Sequence, residues 1–152
     1  MSFKLRALAV MALREETYTF TPNDGDEEVV IFSGQLRQWL LANAMHKVIK
    51  LTFPNDETEE QLIERHGLER DRMASMTILE ASDPVIVGLW PGGTHILIDG
   101  AHRRWFWWKQ GVNTIKGWAV PKEVWEEFSF VKGTLPGAYH HPDGSLLPQR
   151  RK

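Results

Sequence analysis

Residues 96–104, Ile-Leu-Ile-Asp-Gly-Ala-His-Arg-Arg, constrain the fold of this chain more than any other stretch. A short apolar run ends at Asp99, Gly100 supplies a tight turn, and the segment that opens at once carries His102, Arg103 and Arg104. The pattern reads as a buried strand, a corner, and a helix whose first turn is basic. A helix start already presents unpaired N–H groups and the positive end of the dipole. Three basic side chains there call for a compensating anion, and phosphate suits the place. The plainer reading is that the side chains splay into water.

Each residue of the corner has a possible task. Gly100 allows a positive φ or close backbone approach to a ligand. Arg103 or Arg104 can grip phosphate oxygens with two parallel hydrogen bonds. Neighbouring helical residues point about 100° apart, so the two arginines do not easily share one anion. His102 can hydrogen-bond a phosphate or carry a proton near neutral pH. Asp99 can orient His102, bind magnesium through water, or cap the following helix, with capping the simplest. The phosphate-binding candidates are therefore Gly100, Ala101, His102, Arg103 and Arg104, and the catalytic candidates His102 and Asp99. His95 reads as structural. Trp105, Phe106, Trp107 and Trp108 ring the helix with aromatics. Trp105 and Trp108 are the expected buried pair, and another near the surface can stack on a base or meet a partner protein.

Composition narrows the class. The chain has 152 residues, 42% hydrophobic and 25% charged, as in an ordinary globular protein with room for one domain and a sizeable core. Eighteen basic against twenty acidic residues give a formal charge of −2, so an anion site has to be local. With no cysteine, disulfides, thiolate zinc sites and cysteine nucleophiles are excluded, and a cytoplasmic location is allowed. No metal site is assigned; His140 and His141, adjacent, lack the geometry for one. No membrane span is expected. Lys4 and Arg6 before Ala7–Leu13 loosely resemble a leader, but the run meets Arg14-Glu15-Glu16 at once and reads as a folded element.

The fold class expected is α/β (α+β), a small mixed sheet flanked by helices. Residues 17–20 and 29–32 read as strands around an Asn23-Asp24-Gly25 turn, and Ser33 as the cap of a helix to about His46. Val48–Phe53 is a strand. Thr58-Glu59-Glu60-Gln61 has the capping-box pattern, for a helix that stops near Gly67. A second helix over roughly 68–77 places Leu68, Met73 and Met76 near one face. Pro84–Trp90 and His95–Ile98 form a hairpin across Pro91–Thr94. The helix at 101–110 ends at Gly111, Thr114–Val120 is a strand, and Pro121 starts a short helix through Phe128. The tail from 133 is an arm or disordered, and its end, Gln149–Lys152, is basic.

Ser75–Val120 resembles the ParB/sulfiredoxin-like superfamily, often called the ParB-like nuclease domain. The resemblance rests on Asp83-Pro84-Val85-Ile86-Val87, then Ile96–Arg104, then Gly111–Val120, in that order. It implies three segments: residues 1–47 as an N-terminal extension packed on the core, 48–132 as the core domain standing alone, and 133–152 as the arm. Sulfiredoxins carry Gly-Cys-His-Arg at the corner and partition ParB proteins Gly-Glu-Arg-Arg; this chain has Ala101 at the cysteine or glutamate position. Sulfinic-acid reduction is therefore not expected. Related free-serine kinases carry Asp-Gly-His-His-Arg. The family implies ATP or CTP with Mg²⁺ as cofactor and a nucleotide or nucleic acid as partner. Any catalysis would be phosphoryl transfer or nuclease cleavage, with Arg103 neutralising charge and His102 moving a proton. The alternative is a catalytically inactive protein-interaction module of a phage or plasmid system. The first 45 residues cover a sheet edge, complete a homodimer, or close over the site.

Overall fold

A computed structural model describes residues 17–21, 28–43 and 45–131. The leader-like run, the Asn23–Gly25 turn and the tail beyond 131 lie outside them. The architecture is α+β, with helices flanking two small sheets instead of the single sheet expected. Contacts divide the chain into two compact units, one of Met45–Val120 and one of Met1–Ala44 with Pro121–Lys152.

In the second of these, β2 (Val29–Ile31) is the central strand between β1 (Tyr18–Phe20) and β7 (Ser129–Val131), all antiparallel. Its three residues are all buried, as a central strand's apolar run should be. Helix α1 (Ser33–Ala42) buries Leu36 and Leu40, and Trp39 packs at 5.9 Å on Phe128. Ser33 does not cap this helix. Phe32 takes the cap position, and Ser33, 3% exposed, is the first helical residue. Phe32 is fixed there because its N–H donates to Phe128 O at 2.7 Å. After Pro121 come α6 (Lys122–Trp125) and a 3-10 turn to Phe128, then β7.

Met45–Val120 holds a four-stranded mixed sheet of order β3-β6-β4-β5 (Ile49–Thr52, Thr114–Val120, Val85–Leu89, His95–Asp99). Only β4 and β6 run parallel. The connection between them passes through β5 and then α5 (Ala101–Lys109), so the Gly100 corner lies inside that crossover. Between Ile86 and Val87 the β4–β5 register slips by one, leaving Ile98 as an extra residue just before the corner. Gly117 allows the sheet to close: a Cβ there would lie 2.6 Å from both Leu51 Cδ1 and Val85 O.

Helix α2 (Glu59–His66) begins with the expected capping box, with the side chains of Thr58 and Gln61 meeting each other's backbone N–H, and ends at a left-handed Gly67. The helix expected over 68–77 is the shorter α3 (Arg70–Ser75), and a further short helix, α4 (Ile78–Ala81), follows it. Thr77 causes the break: it and Glu80 form a second capping box that starts the chain afresh. Met73 is buried, while Met76, at the break, is only half-buried. Leu62, Leu68, Met73 and Trp105 form one core cluster; Val85, Val87, Leu97 and Ile115 form another on the sheet. Ala101 packs against both, which seats the start of α5.

Among the described residues no helix is long and apolar enough to cross a membrane.

Candidate functional site

Gly100 adopts φ +108°, a conformation that side chains with a Cβ rarely take. A Cβ there would lie 2.4 Å from Val85 Cγ1 and 3.1 Å from Arg103 Nη2. The close approach is therefore made by protein, with a valine on one side and a guanidinium on the other. Gly100 is also the cap residue of α5 and has no side chain to accept from the first N–H groups.

The four residues that follow point four ways. Ala101 goes into the core. His102 turns to the α2–α3 connection, where its Nε2 accepts from Glu69 N–H at 2.9 Å. That bond puts the ring proton on Nδ1. Burial foremost, then Arg72 and Arg103, push the imidazole pKa down against the opposing pull of Glu69, so the ring is neutral near pH 7.

Arg103 folds back over the corner, its Nη2 3.2 Å from Asp99 Oδ2, with both side chains 14% exposed. The contact is a charge pairing without hydrogen-bond alignment. Nε and Nη2 of Arg103 are buried and make no hydrogen bond among the described residues. Arg104 is more deeply enclosed. Its Nη2 donates to Pro54 O and Glu57 Oε1, each at 2.8 Å, and its guanidinium lies 4.8 Å from the centre of the Phe53 ring.

The structure thus gives the basic turn two carboxylates of its own, Asp99 for Arg103 and Glu57 for Arg104, and keeps His102 uncharged. The first of these is local in sequence; the second is not. Glu57 and Glu69 went unnoticed in the sequence because each stands in a polar loop with nothing to mark the approach of a helix more than thirty residues away.

The aromatic residues of α5 are occupied in packing. Trp105 Nε1 donates to Glu59 Oε2 at 2.8 Å, Trp107 to Ala81 O at 2.8 Å, and Trp108 to Glu57 O at 3.2 Å. Trp105 is buried; Phe106, Trp107 and Trp108 are half-buried, so none of the four stands out as a stacking platform. His95 is exposed on β5.

The chain matches no family model, no curated protein and no solved structure.

Two parts of the corner suit a phosphate, a helix start without a side-chain cap and an arginine whose Nε and Nη2 make no hydrogen bond among the described residues, whereas the space beside the Gly100 Cα is filled by Val85 and Arg103. The corner does not suit magnesium. Asp99 and Glu57 each face an arginine, and among the described residues no three His, Asp or Glu side chains gather.

Proposed function

We propose that the protein binds a phosphate-bearing ligand, a nucleotide or a nucleic-acid backbone, with one phosphate at the Gly100 turn. The observation that carries this is Arg103, whose buried Nε and Nη2 lack hydrogen-bond partners among the described residues and lie beside a helix start with a glycine cap. A phosphate there takes both kinds of donor, while Asp99 holds the guanidinium in place until it arrives.

Membership of the ParB/sulfiredoxin-like superfamily is part of the same proposal. It is supported by the order of strand, hairpin, glycine corner, helix and parallel strand in residues 85–120. A cytoplasmic location belongs to the same proposal and fits a nucleotide or nucleic-acid ligand.

The geometry favours binding without chemistry. His102 Nε2, the nitrogen a general base would use, already accepts from Glu69, and Ala101 offers no reactive group. That observation also supports the second reading, an interaction module of a phage or plasmid system.

Calorimetric titration with ATP, CTP, ADP, inorganic phosphate and a short oligonucleotide, with and without Mg²⁺, tests the proposal. At least one is expected to bind, and Arg103→Gln is expected to weaken it about ten- to a hundred-fold, the worth of a charge-assisted contact. If none binds, or if Arg103→Gln binds as well as the parent, the phosphate seat is wrong. A nuclease assay on the same samples is expected to show no cleavage.

A further inference from the structure

Helix α5 covers only part of its sheet face. Ala101 and Trp107 pack against the cluster of Val85, Val87, Leu97 and Ile115, with Trp107 beside Val85 and Ile115. Leu51, Val87, Leu97 and Ala119 line a cavity of about 450 Å³. That volume lies in the range of small-molecule sites, and an apolar floor with few polar groups is their usual make-up.

One wall of the cavity is charged. Arg104 and Glu57 line it, with side chains only 5% and 8% exposed. Nη2 of Arg104 is fully engaged by Pro54 and Glu57, but Nη1, also buried, has no hydrogen-bond partner among the described residues. Arg65, 59% exposed at the rim, reaches the second oxygen of Glu57. Two guanidinium groups on one carboxylate leave this wall with one positive charge in excess, and Lys50, exposed on the same lining, adds a second. His66 adds none: burial first, then Arg104 and Arg65, hold its imidazole down to about 4. A buried guanidinium N–H without an acceptor is costly, and a ligand that supplies the acceptor removes that cost.

We propose that this cavity binds a small molecule carrying a single carboxylate on an apolar body. The carboxylate meets Arg104 Nη1 and Arg65, and the body lies on Leu51, Val87, Leu97 and Ala119. A carboxylate brings two acceptor oxygens, enough for both guanidinium groups at once, and its single charge costs less to desolvate than a dianion's. The site is independent of the Gly100 corner, because Arg103 and Arg104 leave α5 about 100° apart.

The test is an amide-resolved NMR titration of the full chain with n-alkanoates from butanoate to decanoate and with 3-phenylpropionate. The matching carboxamides and phenyl phosphate serve as comparisons. At least one acid is expected to give saturable shifts at the amides of Leu51, Val87, Leu97 and Ala119, with Gly100 and His102 unmoved. Its carboxamide is expected to bind at least about ten-fold more weakly, as is the acid to Arg65→Gln, each having lost a charge-assisted contact. Ala119→Leu, which fills the floor, is expected to abolish the shifts. Arg65→Gln alters a rim side chain and decides the matter if Ala119→Leu does not fold. The proposal is overturned if no acid shifts these amides, if acid and carboxamide bind alike, or if phenyl phosphate binds there more tightly than 3-phenylpropionate. A failed nucleotide titration leaves these outcomes unchanged, since the two sites report through different amides.

Discussion

Gly100 is held by two separate constraints, and substitution can pull them apart. Gly100→Ala meets both the left-handed backbone and the Val85 side chain, so a loss of about 2–4 kcal/mol in urea denaturation is expected. Adding Val85→Ala clears the contact but leaves the φ of +108°, so the double variant is expected to lose less than the two single losses summed. His66 gives a second prediction. Its imidazole has a folded pKa of about 4 against 6.5 when free, so between those values the unfolded chain binds more protons. Stability is therefore full above about pH 6.5 and falls as the pH drops towards 4. His102, also shifted down, acts in the same direction. Denaturation midpoints taken between pH 7.5 and 4.5 are expected to fall less steeply in His66→Gln than in the parent.

At the level of elements, the fold is stitched by local caps and by one buried ion pair that reaches across sequence. Thr58→Ala removes half of a capping box and is expected to cost about 1 kcal/mol, read by chemical denaturation. The Glu57–Arg104 pair should behave differently. Glu57→Leu alone leaves the buried Arg104 charge uncompensated and is expected to cost about 3–5 kcal/mol. Arg104→Met costs less because Arg65 still pairs with Glu57, and the double variant costs less than the two single losses summed. A double-mutant cycle measures that coupling directly. The contrast explains what could be read from the sequence. The Thr58 box, the Gly67 stop, the 85–99 hairpin and the glycine corner are each set by residues close in the chain, and all could be named in advance. Helix α4 went unmarked because the apolar spacing of Leu68, Met73 and Met76 ends before Thr77 and four residues are too few to show a period of their own. Strand β7 was missed because three residues, Ser129–Val131, carry no pattern of their own and become a strand only beside β2. The destination of Arg104 was likewise unreadable, since its acceptors, Pro54 and Glu57, are some fifty residues earlier.

At the scale of the molecule, the contacts concentrate within Met45–Val120 on one hand and within the two chain ends on the other. Met45–Val120 contains every strand of its sheet and both clusters that flank α5. A fragment of these residues is therefore expected to give a dispersed amide spectrum, and a collapsed spectrum would show that it depends on the rest of the chain. The other sheet has no such independence, because β2 and β7 lie at opposite ends of the sequence and register as Val29↔Val131 to Ile31↔Ser129. In the β3–β6 ladder Ile49 stands opposite Gly117, so this stretch of chain leaves and returns side by side. For the polypeptide on either side it is a detour and not a bridge. Shortening it to a brief linker, or exchanging it for another compact insert with neighbouring ends, changes the length of the loop that β2 and β7 close between them, and the entropy of that closure varies slowly with length.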